Sequence, residues 1–260
     1  MNSTVTLPGG VEMPMVGFGT WQIRGRKAYE STKLALEVGY RHVDTATMYG
    51  NEEEVGRALR DSGVPRSEVF VTTKLPPDRA GRAEQTLHDS LRQLGVDAVD
   101  LWLLHWPTQA RVLVSTWAKL VAAREKGLAR AVGVSNFSTA QLDEVTEATG
   151  EKPAVNQIPW SPWQHQAQRL AEQQERGIVL EGYSPFKRSD MRSPILADIG
   201  AAHRRTPAQV VLRWHLQHGI VVIPKSVTPD RIRENLDVDG FRLTDEEMST
   251  LDGLYMKPWS

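Results

Sequence analysis

Cysteine is absent from the 260-residue sequence, which excludes a disulfide framework, thiol catalysis and any thiolate-bound metal. No apolar run approaches the ~20 residues of a membrane helix. The first ten residues, Met1 to Gly10, lack the basic stretch and apolar segment of a secretory signal, so a cytoplasmic protein without a membrane partner is expected. Net charge is scarce too. With 31 basic and 32 acidic residues the balance is −1, and bulk electrostatics supply no attraction to nucleic acid. Also missing is the G-x-G-x-x-G turn that opens a doubly wound dinucleotide-binding sheet, because Gly17-Phe18-Gly19 runs on into Thr20-Trp21.

What is present is ordinary globular material, 40% hydrophobic and 24% charged. Folding at this length buries roughly three-quarters of the unfolded surface, so stability needs no metal. Short strand-type runs recur at Met15–Phe18, His42–Asp44, Val69–Lys74, Leu101–His105, Ala131–Val134, Ala154–Gln157, Val179–Tyr183 and Ile220–Pro224. Between them, Lys27–Val38, Glu52–Leu59, Ala83–Leu94 and Trp117–Ala123 repeat their apolar positions every three to four residues, as helices do. Asn51 ahead of Glu52–Glu54 reads as a helix cap, and Pro207 opens a helix over Ala208–His218. Most strand-to-strand steps are close to the ~30 residues of one βαβ unit. Eight steps without a linker predict a (β/α)₈ TIM barrel, one domain over residues 1–260. Two β-prone runs around Pro8-Gly9-Gly10 predict a hairpin ahead of it, and Asp230–Leu236 and Asp245–Leu254 predict two further helices at the end.

Barrel enzymes place their chemistry at the C-terminal ends of the strands. Asp44, Lys74 and His105 each end a predicted strand, and Tyr49 lies in the loop after the second. Any one of these could be an ordinary capping, rim or hydrogen-bonded residue. Together they match what carbonyl reduction asks for. Hydride addition develops negative charge on oxygen, which must be stabilised and protonated. Tyrosine is a weak acid with a pKa of about 10, and an ammonium beside it lowers that value. A carboxylate keeps the lysine charged and aimed, and the histidine orients the substrate oxygen. No metal is called for. Of the seven histidines only His105 sits at a strand end; His203, His215 and His218 read as helix-surface residues. Most of the eight tryptophans, Trp117 and Trp214 among them, read as core.

These residues, with Gly17-Phe18-Gly19-Thr20-Trp21, Tyr49-Gly50-Asn51-Glu52, Leu104-His105-Trp106-Pro107, Gly133-Val134-Ser135-Asn136-Phe137, Asn156-Gln157, Gly182-Tyr183-Ser184-Pro185 and Ile223-Pro224-Lys225-Ser226, resemble the aldo-keto reductase family along nearly the whole chain. The tail Asn235-Leu236-Asp237-Val238 with Leu243-Thr244-Asp245-Glu246-Glu247 looks like the bacterial 2,5-diketo-D-gluconate reductase branch. The resemblance implies a monomeric NADPH-dependent reductase of aldehydes and ketones, diketo sugars included, acting through Tyr49, Asp44, Lys74 and His105. It also implies that Ser135, Asn136 and Gln157 hold the nicotinamide carboxamide, with Tyr183 stacked on the ring. Thr20, Trp21, Asp44 and Ser184 would line the cofactor. Lys225 and Ser226 would hold the 2′-phosphate, Arg231 would cover the adenine, and Glu234 and Asn235 would meet its edge. A cofactor-binding regulatory or structural barrel with little turnover is the alternative, and the intact set of four argues against it.

The chain departs from the family pattern in places. Leu75-Pro76-Pro77 follows Lys74 where a pocket tryptophan is common, and Pro159-Trp160-Ser161-Pro162 replaces an acidic-His-Pro run. Phe186-Lys187-Arg188 stands where leucine-glycine is usual, bringing Lys187 or Arg188 within reach of a pyrophosphate. The loop from Pro107 to Val114 is short, and little sequence follows the last helix. An open substrate site is therefore expected, lined by Trp21, Met48, Tyr49, His105 and Trp106.

Overall fold

Packing of the predicted units is seen in a computed structural model that describes residues 3–187 and 189–255. An antiparallel hairpin, β1 (Thr4–Leu7) and β2 (Val11–Pro14), leads into eight parallel strands: β3 (Phe18–Gly19), β4 (His42–Asp44), β5 (Phe70–Leu75), β6 (Val99–Leu104), β7 (Ala129–Ser135), β8 (Val155–Pro159), β9 (Val179–Tyr183) and β10 (Val221–Ile223). Each strand of the barrel pairs with the next in sequence. The sheet closes where the Gly17 amide donates to Val222 O at 2.9 Å, the Val222 amide to Met15 O at 2.8 Å and the Gly19 amide to Pro224 O at 3.0 Å.

That seam explains why the first barrel strand covers only two residues rather than the expected Met15–Phe18. A Cβ on Gly17 would lie 2.6 Å from His42 Nδ1, and one on Gly19 would lie 2.9 Å from Ile223 O. The chain threads between two neighbours at a spacing only glycine permits, and it bonds across the seam without a regular ladder.

The hairpin plugs the opposite end of the barrel from the strand C-termini. Leu7, Val11 and Met13 join the inward-facing Leu101, Leu103, Ala131 and Val221 in one buried cluster. The alternate residues Trp102 and Leu104 face outward onto the helices, as the two-residue period of a strand requires. Helices fill the outer ring: α1 (Arg26–Glu37), α2 (Glu52–Asp61), α3 (Ala83–Leu94), α4 (Ala110–Glu125), α5 (Thr139–Thr149), α6 (Ala167–Glu175), α7 (Pro194–His203), α8 (Pro207–Gln217), α9 (Pro229–Leu236) and α10 (Asp245–Asp252). Helix α4 begins at Ala110, so the loop after Pro107 is shorter than expected.

Two expectations are corrected here. Asn51 precedes α2 but its side chain does not cap it. Instead it accepts from Thr45 Oγ1 at 2.7 Å and donates to Thr20 O at 3.0 Å and Ile23 O at 2.8 Å, which ties the loop after β3 to the end of β4. His215 is fully buried rather than at a helix surface, because it lies one turn after Val211 on the face of α8 turned to the barrel. Its ring nitrogens lie 2.7 Å from Val211 O and 3.2 Å from Trp160 O, and the single N–H of the neutral ring donates to one of them. Trp117 and Trp214 are core residues, as expected.

Candidate active site

Strand geometry brings the four candidate residues to one end of the barrel. β4 ends on Asp44, β5 carries Lys74 one residue from its end, and His105 follows β6 directly. Tyr49 closes a short 3₁₀ turn, Thr47–Tyr49, anchored to β5 where Thr47 Oγ1 donates to Lys74 O at 2.9 Å. The Lys74 ammonium is wholly buried and makes three contacts: Asp44 Oδ1 at 2.6 Å, Thr45 O at 2.9 Å and the Tyr49 hydroxyl oxygen at 3.2 Å. The Tyr49 and His105 rings meet edge to face, with centroids 5.7 Å apart.

Electrostatics set the charge states. Burial alone pulls the Lys74 pKa down, but the Asp44 charge and Tyr49 more than reverse that, so its ammonium is held charged. Burial, followed by the Lys74 charge, pushes His105 down to about 3, which keeps its ring neutral. The buried Nδ1 of His105 has no hydrogen-bond partner among the described residues. Tyr49 departs from expectation: burial raises its pKa more than the Lys74 charge lowers it, and the net direction is up. The hydroxyl is thus fully protonated at neutral pH, with an ammonium poised beside the phenolate it would become.

Beyond these four, Gln157 donates through Nε2 to Asp44 Oδ2 at 2.8 Å and to Glu181 Oε2 at 2.9 Å. Ser135 Oγ bonds Gln157 O at 2.8 Å. Asn136, in the left-handed region at φ 65°, donates to His105 O at 3.2 Å and to Ser135 Oγ at 2.9 Å, and accepts from the Tyr183 hydroxyl at 2.8 Å. Ser184 is also left-handed, at φ 54°. Buried Thr20 bonds the backbone oxygen of Asp44 at 2.9 Å. The predicted carboxamide-binding residues therefore form one connected rim with the reactive four.

At the mouth, Trp21 (42% exposed), Met48 (57%) and Trp106 (47%) stand open to solvent among the described residues. Lys187 reaches across it, its Nζ 5.3 Å from the Trp21 ring centre. Arg188 lies outside the described residues. Lys225 and Arg231 are exposed around the start of α9, with Ser226 half-buried between them; Ser226 Oγ accepts from the Thr228 amide at 3.1 Å. Glu234 is engaged by Thr206 at 2.5 Å, and Asn235 is buried, so neither presents a free edge comparable to Arg231.

Sequence reading missed Glu181. This carboxylate is wholly buried among Gln157, His42 and Asp44, and burial, followed by the Asp44 charge, pushes its pKa up to about 8. The signal was a lone acid inside the apolar run Val179–Tyr183. Also unread was Glu52, which accepts from Thr73 Oγ1 at 2.6 Å and Ser90 Oγ at 3.2 Å beneath the Tyr49 turn.

This arrangement has close counterparts. The model of the aldo/keto reductase family matches residues 15–256. An aldo-keto reductase of Mycolicibacterium vanbaalenii is 47% identical over 255 residues, covering 96% of this chain and 91% of that one. The 2,5-diketo-D-gluconic acid reductase B of a Corynebacterium species is 42% identical over 256 residues, covering 96% and 92%. Among solved structures, MGS-M4, an aldo-keto reductase from a deep-sea metagenome library, superposes with a TM-score of 0.94 at 38% identity, covering 99% of this chain and 97% of that one.

Proposed function

The chain belongs to the aldo/keto reductase family and is an oxidoreductase that reduces carbonyl groups; from that premise we propose that NADPH is its hydride source and Tyr49 its proton donor. The observation that carries the proposal is the chain Asp44–Lys74–Tyr49, buried and continuous at 2.6 and 3.2 Å.

The site's own groups fit a nicotinamide cofactor. Ser135, Asn136, Gln157 and Tyr183 offer amide and hydroxyl groups on adjacent strand ends beside Asp44. Exchanging their mutual bonds for a carboxamide would cost little, since amides and hydroxyls can both give and accept. When bound, NADPH supplies the hydride that reduces the carbonyl carbon. One ring nitrogen of neutral His105 donates a hydrogen bond to the carbonyl oxygen and fixes its position. Tyr49 releases its proton to that oxygen as negative charge develops there. Lys74, already 3.2 Å from the phenolic oxygen, stabilises the phenolate left behind. Asp44, 2.6 Å from Lys74 Nζ, keeps the ammonium aimed. Lys225, Ser226 and Arg231 surround the start of α9, where a phosphate suits both the cations and the helix end. Those residues support NADPH over NADH.

Exposed Trp21, Met48 and Trp106 support broad acceptance of aldehydes, activated ketones and diketo sugars with modest affinity for each. We further read the protein as a single-domain cytoplasmic monomer. The family resemblance supports this, as does a barrel seam that leaves no free edge between β3 and β10. A barrel that only binds cofactor would have no use for a buried ammonium held against a tyrosine.

The test is NADPH oxidation with a panel of aldehydes, diketones and keto-sugars, wild type against Tyr49→Phe. The variant is expected to lose on the order of 10²–10⁴-fold in kcat while still binding NADPH. Equal turnover in both would remove Tyr49 from the reaction.

A further inference from the structure

Away from the barrel mouth, three side chains from separate segments converge. His165 follows the short turn Pro162–Gln164 after β8, His218 is the residue just past α8, and Asp252 is the last residue of α10. We propose that His165, His218 and Asp252 form a binding site for a divalent transition metal of the zinc, cobalt and nickel class.

The geometry has the form of a ligand set. One candidate donor atom from each residue lies within 4.8 Å of the other two. His218 Nε2 is 2.8 Å from Asp252 Oδ1, and His165 Nε2 is 3.8 Å from that same oxygen. The two imidazoles lie nearly parallel, 28° apart with centroids 4.9 Å from each other, so both rings present Nε2 to one carboxylate. Metal–nitrogen bonds of about 2.0–2.1 Å in a tetrahedral site put neighbouring donors a little over 3 Å apart. Closing the set around an ion is a matter of side-chain rotation of about 1 Å.

A plain hydrogen bond explains His218 and Asp252 but leaves His165 unexplained. That ring is only 6% exposed, its Nδ1 has no hydrogen-bond partner among the described residues, and its Nε2, the nitrogen turned to Asp252, stands beyond hydrogen-bonding distance from it. The surroundings fix its position: Trp160 and Trp214 both pack edge to face against it, at 5.8 and 5.2 Å. Trp214 also donates through Nε1 to Asp252 Oδ1 at 2.7 Å, which orients the carboxylate in the manner of an outer-shell partner of a metal site.

Two imidazoles and one carboxylate select transition ions over magnesium or calcium, which prefer all-oxygen sets. The partial exposure of the His218 and Asp252 side chains, 19% and 33%, gives the ion a path in. Water completes its coordination. Binding ties the end of α10 to α8 and to the segment after β8, and it uses no residue of the reductase site.

The experiment takes untagged full-length protein stripped with EDTA and titrates Zn²⁺ by calorimetry, with thermal unfolding in parallel and Co²⁺ absorption as a spectroscopic check. The expected result is one equivalent bound, a tetrahedral-type Co²⁺ spectrum, and a Tm rise of about 5–10 °C at a hundredfold excess over Kd. His165→Phe keeps a ring between the tryptophans and removes a ligand. His218→Gln keeps a donor to Asp252 and removes another. Both are expected to abolish the stoichiometric binding and the Tm rise. His203→Gln, which breaks a separate pair with Glu247, is expected to retain them. No binding by wild type, or binding retained in either ligand variant, would overturn the proposal.

Discussion

Replacing Lys74 by methionine separates the structural from the chemical role of the buried ion pair. The Lys74 and Asp44 side chains are 0% and 2% exposed, and their charged atoms are 2.6 Å apart. Methionine fills similar volume but strands the Asp44 carboxylate in the barrel, with Gln157 as its remaining side-chain donor. Breaking a buried pair from one side costs about 3–5 kcal/mol. At roughly 2–4 °C per kcal/mol for chains of this size, Tm falls by about 6–20 °C. The double variant Lys74→Met/Asp44→Asn removes both charges together, and it is expected to recover most of that loss.

Activity follows a different pattern. Tyr49 loses the ammonium that stabilises its phenolate in either variant, so kcat falls by on the order of 10²–10⁴ in both. The assays are thermal unfolding by circular dichroism and NADPH consumption with one aldehyde. If Lys74→Met melted with wild type, the ammonium would not be compensating Asp44 as the burial implies. If the double variant recovered turnover along with stability, Lys74 would be only a structural residue.

His105 is held to about 3, so its ring stays neutral in any ordinary assay; kcat for reduction is expected to show no histidine inflection from pH 5 to 8, and one that vanishes in His105→Gln would contradict this. Glu181, pushed up to about 8, ionises in the unfolded chain near 4.3, so between those values the unfolded state holds fewer protons and stability falls as pH rises. Glu181→Gln is expected to remove that slope, giving a Tm advantage over wild type that grows across the window; a constant difference would refute it. Lys225→Ala is expected to raise KM for NADPH about 10–100-fold and leave KM for NADH unchanged, whereas Arg231→Ala, which removes the cover over the adenine, is expected to raise both. An equal effect of Lys225→Ala on both cofactors would remove that residue from the 2′-phosphate.

The strand ends were legible because each reactive residue interrupts or ends an apolar run. A charge at the end of Val69–Lys74 or of His42–Asp44 marks both where the strand stops and where its polar group faces. Helices α5 and α6 were not legible for an equally physical reason. Within them only Leu142 and Val145, or Leu170 and Gln173, are buried, so a helix lying on the outer ring shows too narrow a stripe to reveal its period. Asn51 misled in the opposite way. Its type and position suit a helix cap, yet three partners from distant segments claim the side chain, and only the fold brings them near.

At the site itself, sequence named the neighbours of Tyr49 but not the depth at which they meet. An ammonium beside a phenol lowers its pKa; burial of both raises it, and here burial wins. The same burial raises Glu181 and lowers His42 to about 4, so the carboxyl and the imidazole at 3.6 Å both tend toward neutrality. Asp44 is thereby left with Lys74 as its strongly charged partner. Gln157 links the two acids, donating to Asp44 and Glu181 at once. A nicotinamide carboxamide that drew Gln157 away would have to offer Asp44 another donor. The residue proposed to hold the cofactor and the residue that pairs with Lys74 are thus joined by one amide. On the proposed function, cofactor binding and the readiness of Tyr49 to give up its proton would be coupled through Gln157.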